Sequence, residues 1–171
     1  TIGKGEPHPV STLVDLTFDV YDIALSTVAG VARFMYVAVG SAVIVVSNGG
    51  GATLLAGAAT SSGYIDGTGS AALFGTIHGL ALDARLGLLY VTDDLHRMRR
   101  ITTAGGVATG TVAGSGIAAL LDGAGTVAAF NDPWGMALDT ASSALYLGDS
   151  GNNAIRVVLL PPAPVILAAA P

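Results

Sequence analysis

The stretch Asp66-Gly67-Thr68-Gly69-Ser70-Ala71-Ala72-Leu73-Phe74 returns 56 residues later as Asp122-Gly123-Ala124-Gly125-Thr126-Val127-Ala128-Ala129-Phe130. The correspondence continues in step. His78-Gly79-Leu80-Ala81-Leu82-Asp83 pairs with Trp134-Gly135-Met136-Ala137-Leu138-Asp139. Leu89-Tyr90-Val91-Thr92-Asp93 pairs with Leu145-Tyr146-Leu147-Gly148-Asp149. Carried on at the same spacing, Arg99-Arg100-Ile101 falls on Ile155-Arg156-Val157. A period of this length, held without a gap, marks a repeat architecture.

Each repeat reads as short strands. In the middle copy these are Gly79 to Leu82, Leu88 to Val91, Met98 to Ile101 and the β-branched run Val107 to Ala113. Gly, Asp and Thr separate them, which predicts a four-stranded antiparallel meander. No segment shows a sustained helical period. The exceptions are Ser70 to Phe74 and its copy Thr126 to Phe130, each of which suits a single helical turn. An earlier, degenerate copy places Tyr21-Asp22-Ile23-Ala24-Leu25 where His78 and Trp134 begin the later strands. Phe34 to Ala38, Ala42 to Val46 and Ala52 to Gly57 follow as its remaining strands.

The expected organisation is therefore all-β. Residues 1–160 carry about three four-stranded antiparallel blades, at 20–57, 77–114 and 133–160, and the ring is incomplete within one chain. The last copy has strands one to three and stops at Leu160. A Pro/Ala-rich tail, 161–171, follows, with Val165-Ile166-Leu167 as a candidate fourth strand or docking segment. Residues 10–14 resemble a fourth strand with no repeat before it. A strand at one end and a gap at the other suit completion of a sheet by a neighbour.

Composition narrows the function classes. Of 171 residues 51% are apolar and 11% charged, and the net charge is −5. Nucleic acid and anionic membranes both select for Lys/Arg stripes, so neither is an expected partner. The single lysine is Lys4, and cysteine is absent, which excludes disulfides and thiolate metal sites. The most apolar stretch, Val28 to Val46, contains Arg33, Gly40 and Ser41 and aligns with a strand hairpin of the repeats. Membrane insertion is not expected. No Asn-x-Ser/Thr site occurs, so N-glycosylation is not expected either.

At these residues the chain resembles the NHL-repeat family of β-propellers. The last copy carries the pattern most fully: Asp122, Gly123, Gly125, Ala128, Phe130, Pro133, Gly135, Ala137, Asp139, Tyr146, Asp149, Asn152, Ile155 and Arg156. The middle copy keeps Asp66, Gly67, Gly69, Phe74, Gly79, Asp83, Tyr90, Asp93 and Arg100. It has Ile77, His96 and Arg99 where the pattern has Pro, Asn and Ile. The likeness is good over about residues 50–158 and weak over 20–50. It implies propeller blades, of which the family closes about six into a ring, whereas closure typically takes about 4–8. Three blades leave edges and a face to be completed by a longer chain or by other copies, as a closed ring or an open filament.

Candidate chemistry is sparse. Gly67-Thr68-Gly69 and Gly123-Ala124-Gly125 approach a phosphate loop but lack the last Gly and the βαβ setting. Asp83, Asp93, Asp139 and Asp149 recur with the blades as turn residues do. Asp149-Ser150-Gly151-Asn152-Asn153 is oxygen-rich but lacks the acidic spacing of a calcium loop. Some propellers similar to this family are metal-dependent lyases or hydrolases. Here His8, His78 and His96 share no repeat position and Glu6 is the only Glu, so no metal, cofactor or catalytic residues are assigned. In His96-Arg97-Met98-Arg99-Arg100, Arg100 aligns with Arg156 and reads as a structural arginine paired to a turn carboxylate such as Asp93. Arg97 and Arg99 are extra, and either grip an acidic partner or glycan or form a solvated face. Tyr21, His78 and Trp134 place a ring before the first strand of every blade. They either stack on a sugar or peptide or plug the seams between blades.

These observations point to a non-enzymatic structural or interaction module, self-associating through its open ends. A Thr/Ser/Gly/Ala-rich surface and the Pro-Pro-Ala-Pro tail suit an extracellular, O-glycosylated or hydroxyproline-bearing protein. The alternatives are a ligand-binding propeller that recognises a peptide or carbohydrate and, third, a metal-dependent propeller enzyme.

Overall fold

The structure, a computed structural model, describes residues 11–28, 31–104 and 110–161. Among these the chain is almost entirely β. Strands β1 (Val20–Val28), β2 (Val31–Val39), β3 (Ala42–Ser47) and β4 (Ala52–Gly57) form the first blade. Strands β5 (Ile77–Asp83), β6 (Leu88–Asp93), β7 (Arg97–Thr102) and β8 (Gly110–Ala113) form the second. The third contains β9 (Pro133–Asp139), β10 (Ala144–Asp149) and β11 (Ala154–Leu159). Each blade is an antiparallel meander in chain order, and no sheet closes on itself. The fold is that of three propeller-type blades in an unfinished ring.

Four strands per blade holds for the first two blades, and the third has three among the described residues. Its candidate fourth strand at Val165 to Leu167 lies outside the described residues, as do 107–109 of the fourth strand expected in blade 2. The segment 11–14 corrects an expectation, because it is not a strand, and residue 10 lies outside the described residues. Val14 and Leu16 instead pack on the face of blade 1 made by Val37, Val39, Ala42 and Val46. Burying apolar side chains on a broad valine-rich face removes more surface from water than lining a sheet edge.

Local sequence accounts for the turns. Gly40 adopts φ 56° in the two-residue link between β2 and β3, so the apolar run there folds back as a hairpin. No helix of the described residues is long and apolar enough to cross a membrane. The two predicted helical turns form as single 3-10 turns at Gly69–Ala71 and Gly125–Val127.

The core lies between blades. Ala24, Tyr36, Ala38 and Val43 of blade 1 meet Leu80, Leu89, Val91 and Ile101 of blade 2, with Phe74 sealing the seam. Ala81, Tyr90 and Met98 on the opposite face of blade 2 meet Leu145 and Leu147 of blade 3, with Phe130 in the place of Phe74. Polar tethers cross the same seams. Leu80 N–H donates to Asp22 Oδ2 at 2.7 Å, and Thr92 Oγ1 donates to the Trp134 carbonyl at 2.8 Å. Each blade therefore has two unlike faces, one that receives the next blade and one that docks on the previous blade.

Candidate functional site

The three rings expected before the first strands lie instead at the second residue of β1, β5 and β9, and they converge. His78 links the other two. Its ring stacks on Trp134 with centroids 4.4 Å apart and planes at 26°, and it meets Tyr21 at 6.1 Å with a tilt of 40°. The strand starts bring them together because β1, β5 and β9 lie side by side as the first strands of consecutive blades. The His78 side chain is only 10% exposed, whereas Tyr21 and Trp134 are 41% and 45% exposed. The buried middle ring thus plugs the seam, and the outer two remain open. Asp132 borders the row. Its Oδ2 accepts from Trp134 Nε1 at 3.1 Å, and its Oδ1 lies 3.2 Å from His78 Nδ1, though misaligned for a hydrogen bond. Asp132 N–H donates to His96 Nδ1 at 3.0 Å, which fixes the proton of a neutral His96 on Nε2. Half-exposed aromatic faces beside a carboxylate can stack on an apolar ring face and accept its hydroxyl or amide protons.

Arg97 and Arg99 do not form an open basic face. Arg99 is fully buried. Its guanidinium donates to the carbonyls of Leu73 and Ile65 and to Asp66 Oδ1, the last at 2.6 Å, and lies 4.5 Å from the centre of the Phe74 ring. Arg156 repeats this pattern with Ala129, Leu121, Asp122 and Phe130, and also holds Asp149 Oδ2 at 2.8 Å. The structural counterpart of Arg156 is therefore Arg99, not Arg100, which is exposed. The reason is a turn. Asp93 pairs with Arg97 across a three-residue link, while Asp149 pairs with Ala154 across a link one residue longer that contains the 3-10 turn Ser150–Asn152. The repeat spacing shifts by one there. Arg97 is half-buried, donates to the Leu95 and Ser115 carbonyls, and lies 4.0 Å from the centre of the Tyr64 ring.

The recurring aspartates serve the chain itself. Asp83 accepts from Arg85, which holds its carboxyl below the ordinary value, and Asp139 accepts from Ser142 Oγ and Ala141 N–H with the same effect. Asp93 is buried and accepts only main-chain N–H groups in the described bonds, from Gly75 and Leu95. Burial pushes its carboxyl up. In the 149–153 turn, Asp149 is consumed by Arg156, Asn152 and Asn131 N–H. Among the described residues no three His, Cys, Asp or Glu side chains gather where they could hold a metal.

The feature that sequence reasoning left unlocated is the surface of blade 3. Tyr36, Tyr90 and Tyr146 occupy matching positions on the second strands. Tyr36 is 7% exposed beneath blade 2 and Tyr90 3% beneath blade 3, while Tyr146 is 44% exposed. Its neighbours on that face are apolar too. Val157 and Ala137 are its cross-strand partners, and Ile155 and Leu159 are each 78% exposed. Alongside β11 runs a groove of about 790 Å³ walled by Leu120, Gly123, Ala128, Phe130 and Ile155 to Leu159. The signal for this surface was present in the alternation of β11, where Ile155, Val157 and Leu159 share one face.

No family model and no curated protein matches the sequence. Solved structures do. The chain is similar to a structural genomics protein of unknown function from Bacteroides thetaiotaomicron, with 27% identity and a TM-score of 0.64, covering 72% of this chain and 32% of that one. It is also similar to an auxiliary nutrient binding protein from the same organism, at 20% identity and TM-score 0.68 over 87% of this chain and 39% of that one. A third, an auxiliary nutrient binding protein from Bacteroides ovatus, gives 23% identity and TM-score 0.62 over 73% and 34%. The chain thus spans about a third of the length of these proteins. Taken with the blades, these likenesses define a propeller-type fold.

Proposed function

We propose that the protein is a non-enzymatic interaction module whose array is continued by further blades docking on blade 3, from a second copy or from the rest of a longer chain. The observation that carries this reading is Tyr146, open at 44% where its two counterparts are sealed at 7% and 3% by the following blade. The complementary face is that of blade 1, which Val14 and Leu16 cover in part and where Ile23, Leu25 and Leu54 remain about half exposed, at 49%, 54% and 49%. A face that receives and a face that docks make a head-to-tail contact, which gives a ring when it closes and a filament when it does not. The resemblance to NHL-type blades, the near absence of lysine and the low charge support an extracellular assembly unit without metal or cofactor.

Sedimentation across a dilution series tests it. The expected outcome is concentration-dependent association, weakened at least tenfold by Tyr146→Asp, since sealing one large apolar side chain is worth about 1.5–3 kcal/mol. A folded 16.9 kDa monomer at every concentration refutes self-association. A second reading, recognition of a carbohydrate or peptide at the ring row, is favoured by the convergence of Tyr21, His78 and Trp134 and by the nutrient-binding descriptions of the similar structures. It fails if Trp134→Ala changes no binding across a glycan and peptide panel.

A further inference from the structure

Among the described residues the chain contains two filled copies of a site that is open in blade 3. In blade 1, β4 lies antiparallel on β3 with Ala56 opposite Val43 and Leu54 opposite Ile44, so Leu55 bulges between them. In blade 2, β8 lies on β7 with Ala113 opposite Met98 and Thr111 opposite Arg99, so Val112 bulges at the same point. β4 ends in Ala56-Gly57 and β8 ends at Ala113 with Gly114 directly after it, and both glycines take the left-handed conformation, Gly57 at φ +92° and Gly114 at φ +99°. The two fourth strands are thus one motif: a β-branched or apolar residue, a bulged Leu or Val, then Ala and Gly. In blade 2 this strand also fastens to the segment that precedes its own blade, through a 2.8 Å bond between Thr111 Oγ1 and the Tyr64 hydroxyl.

In blade 3 the acceptor half of this arrangement is complete. β11 holds the place of β3 and β7, and Arg156 makes the clip that Arg99 makes in blade 2. Leu120, at the position of Tyr64 in the repeat, stands 61% exposed on the wall of the 790 Å³ groove. Among the described residues β11 has a sheet neighbour on one side alone, β10. We infer that the open edge of β11 is a strand-accepting groove, selective for a separate extended segment carrying an apolar or β-branched residue, a bulged apolar residue, then Ala-Gly, which adds antiparallel with its Ala opposite Ile155 and the bulged residue before Arg156 is reached. The inference deepens the proposed function by naming the chemistry of what completes blade 3. It concerns the edge of that blade, whereas the proposed stacking concerns its face.

The recognition follows from backbone and side chain together. An exposed edge offers a row of N–H and C=O groups that any extended peptide satisfies. Selectivity comes from the bulge, which re-aims one apolar side chain, and from the Ala-Gly end, where bulk is refused. In both filled sites a Cβ on the glycine would meet main-chain atoms, at 2.3 Å from the Ser41 carbonyl oxygen for Gly57 and 2.6 Å from that of His96 for Gly114.

A labelled synthetic peptide of the sequence Gly51 to Ala58 tests this on the full chain by fluorescence anisotropy, with hydrogen exchange to locate the site. The expected result is saturable binding that slows exchange of the amides of Ile155 to Leu159. The same peptide with Pro in place of Leu54 is expected to bind at least tenfold more weakly, since Pro removes a ladder donor. Binding is expected to persist in Tyr146→Asp, which separates this groove from blade stacking. Absence of binding overturns the inference, and so does binding that leaves β11 amides unprotected. It is equally overturned if only a chain ending at Pro161 binds, for then the groove belongs to the chain's own tail.

Discussion

Replacing Arg99 by Met is the sharpest perturbation of this fold, with Arg100→Met as its control. The Arg99 side chain is fully buried and serves two main-chain carbonyls, Leu73 and Ile65, besides Asp66. Methionine fills much of the volume but donates nothing. Two carbonyls stripped of a donor cost about 1–3 kcal/mol each. The Asp66 side chain is 54% exposed and rehydrates, so it adds little. Relief of the buried charge and better apolar packing return about 1 kcal/mol, which leaves a net loss of about 1–5 kcal/mol. Urea unfolding followed by Trp134 fluorescence and far-UV dichroism reads this. With m about 2 kcal/mol/M, the midpoint falls by about 0.5–2.5 M. Arg100→Met, at an exposed position, stays within about 0.5 kcal/mol of the parent. Equal losses in both variants, or a larger loss at position 100, would show that the arginine clip of blade 2 is misassigned.

Two further outcomes follow from other residues. Burial raises the Asp93 carboxyl above its ordinary 3.8, so the folded protein holds that proton more tightly than the unfolded chain does. Its contribution to stability therefore falls as pH rises from the ordinary value through the raised folded one. In unfolding midpoints taken between about pH 3.5 and 7, the parent loses stability relative to Asp93→Asn across that window. A difference that is flat or grows with pH contradicts the assignment. Gly57→Ala forces a Cβ to within 2.3 Å of the Ser41 carbonyl oxygen at φ +92°, and should cost at least about 2 kcal/mol in thermal unfolding. Gly49→Ala, with open space around it, should cost under about 1 kcal/mol, and similar losses in the two would sink the steric argument.

Much of this architecture was legible in the sequence because turns and strand alternation are local. The Asp-Gly-x-Gly stretches form the expected 3-10 turns, and the rings at 21, 78 and 134 meet because the repeat places them at one point of every blade. Arg99 was misread for a physical reason. A link one residue longer in the last repeat moved the register by one, and a gapless alignment carried Arg100 onto Arg156. The apolar flanks did not decide between them, since Met98 and Ile101 fall on Ala154 and Val157 at the gapless spacing and on Ile155 and Val158 at the shifted one, apolar in both cases. Residues 11–14 were misread because an apolar β-branched run does not reveal whether it will find an edge or a face. The open blade face could be counted from the number of repeats, but its location depended on which side of each sheet packs forward, which a single sequence leaves undetermined.

The arginine clips and the left-handed glycines tie the chain in opposite directions along its length. Arg99 binds the segment 65–73 to the blade that follows that segment, whereas Gly57 sits under Phe74 of the next repeat, with a hypothetical Cβ only 3.0 Å from that ring. Each link between blades is thus stitched forward by one device and backward by the other. Under mechanical load the array should therefore yield from its ends, blade 3 peeling before blade 2 and each departure laying bare the tyrosine beneath. A filament built this way would be repaired by replacing end units, since an internal blade cannot leave without opening two seams at once.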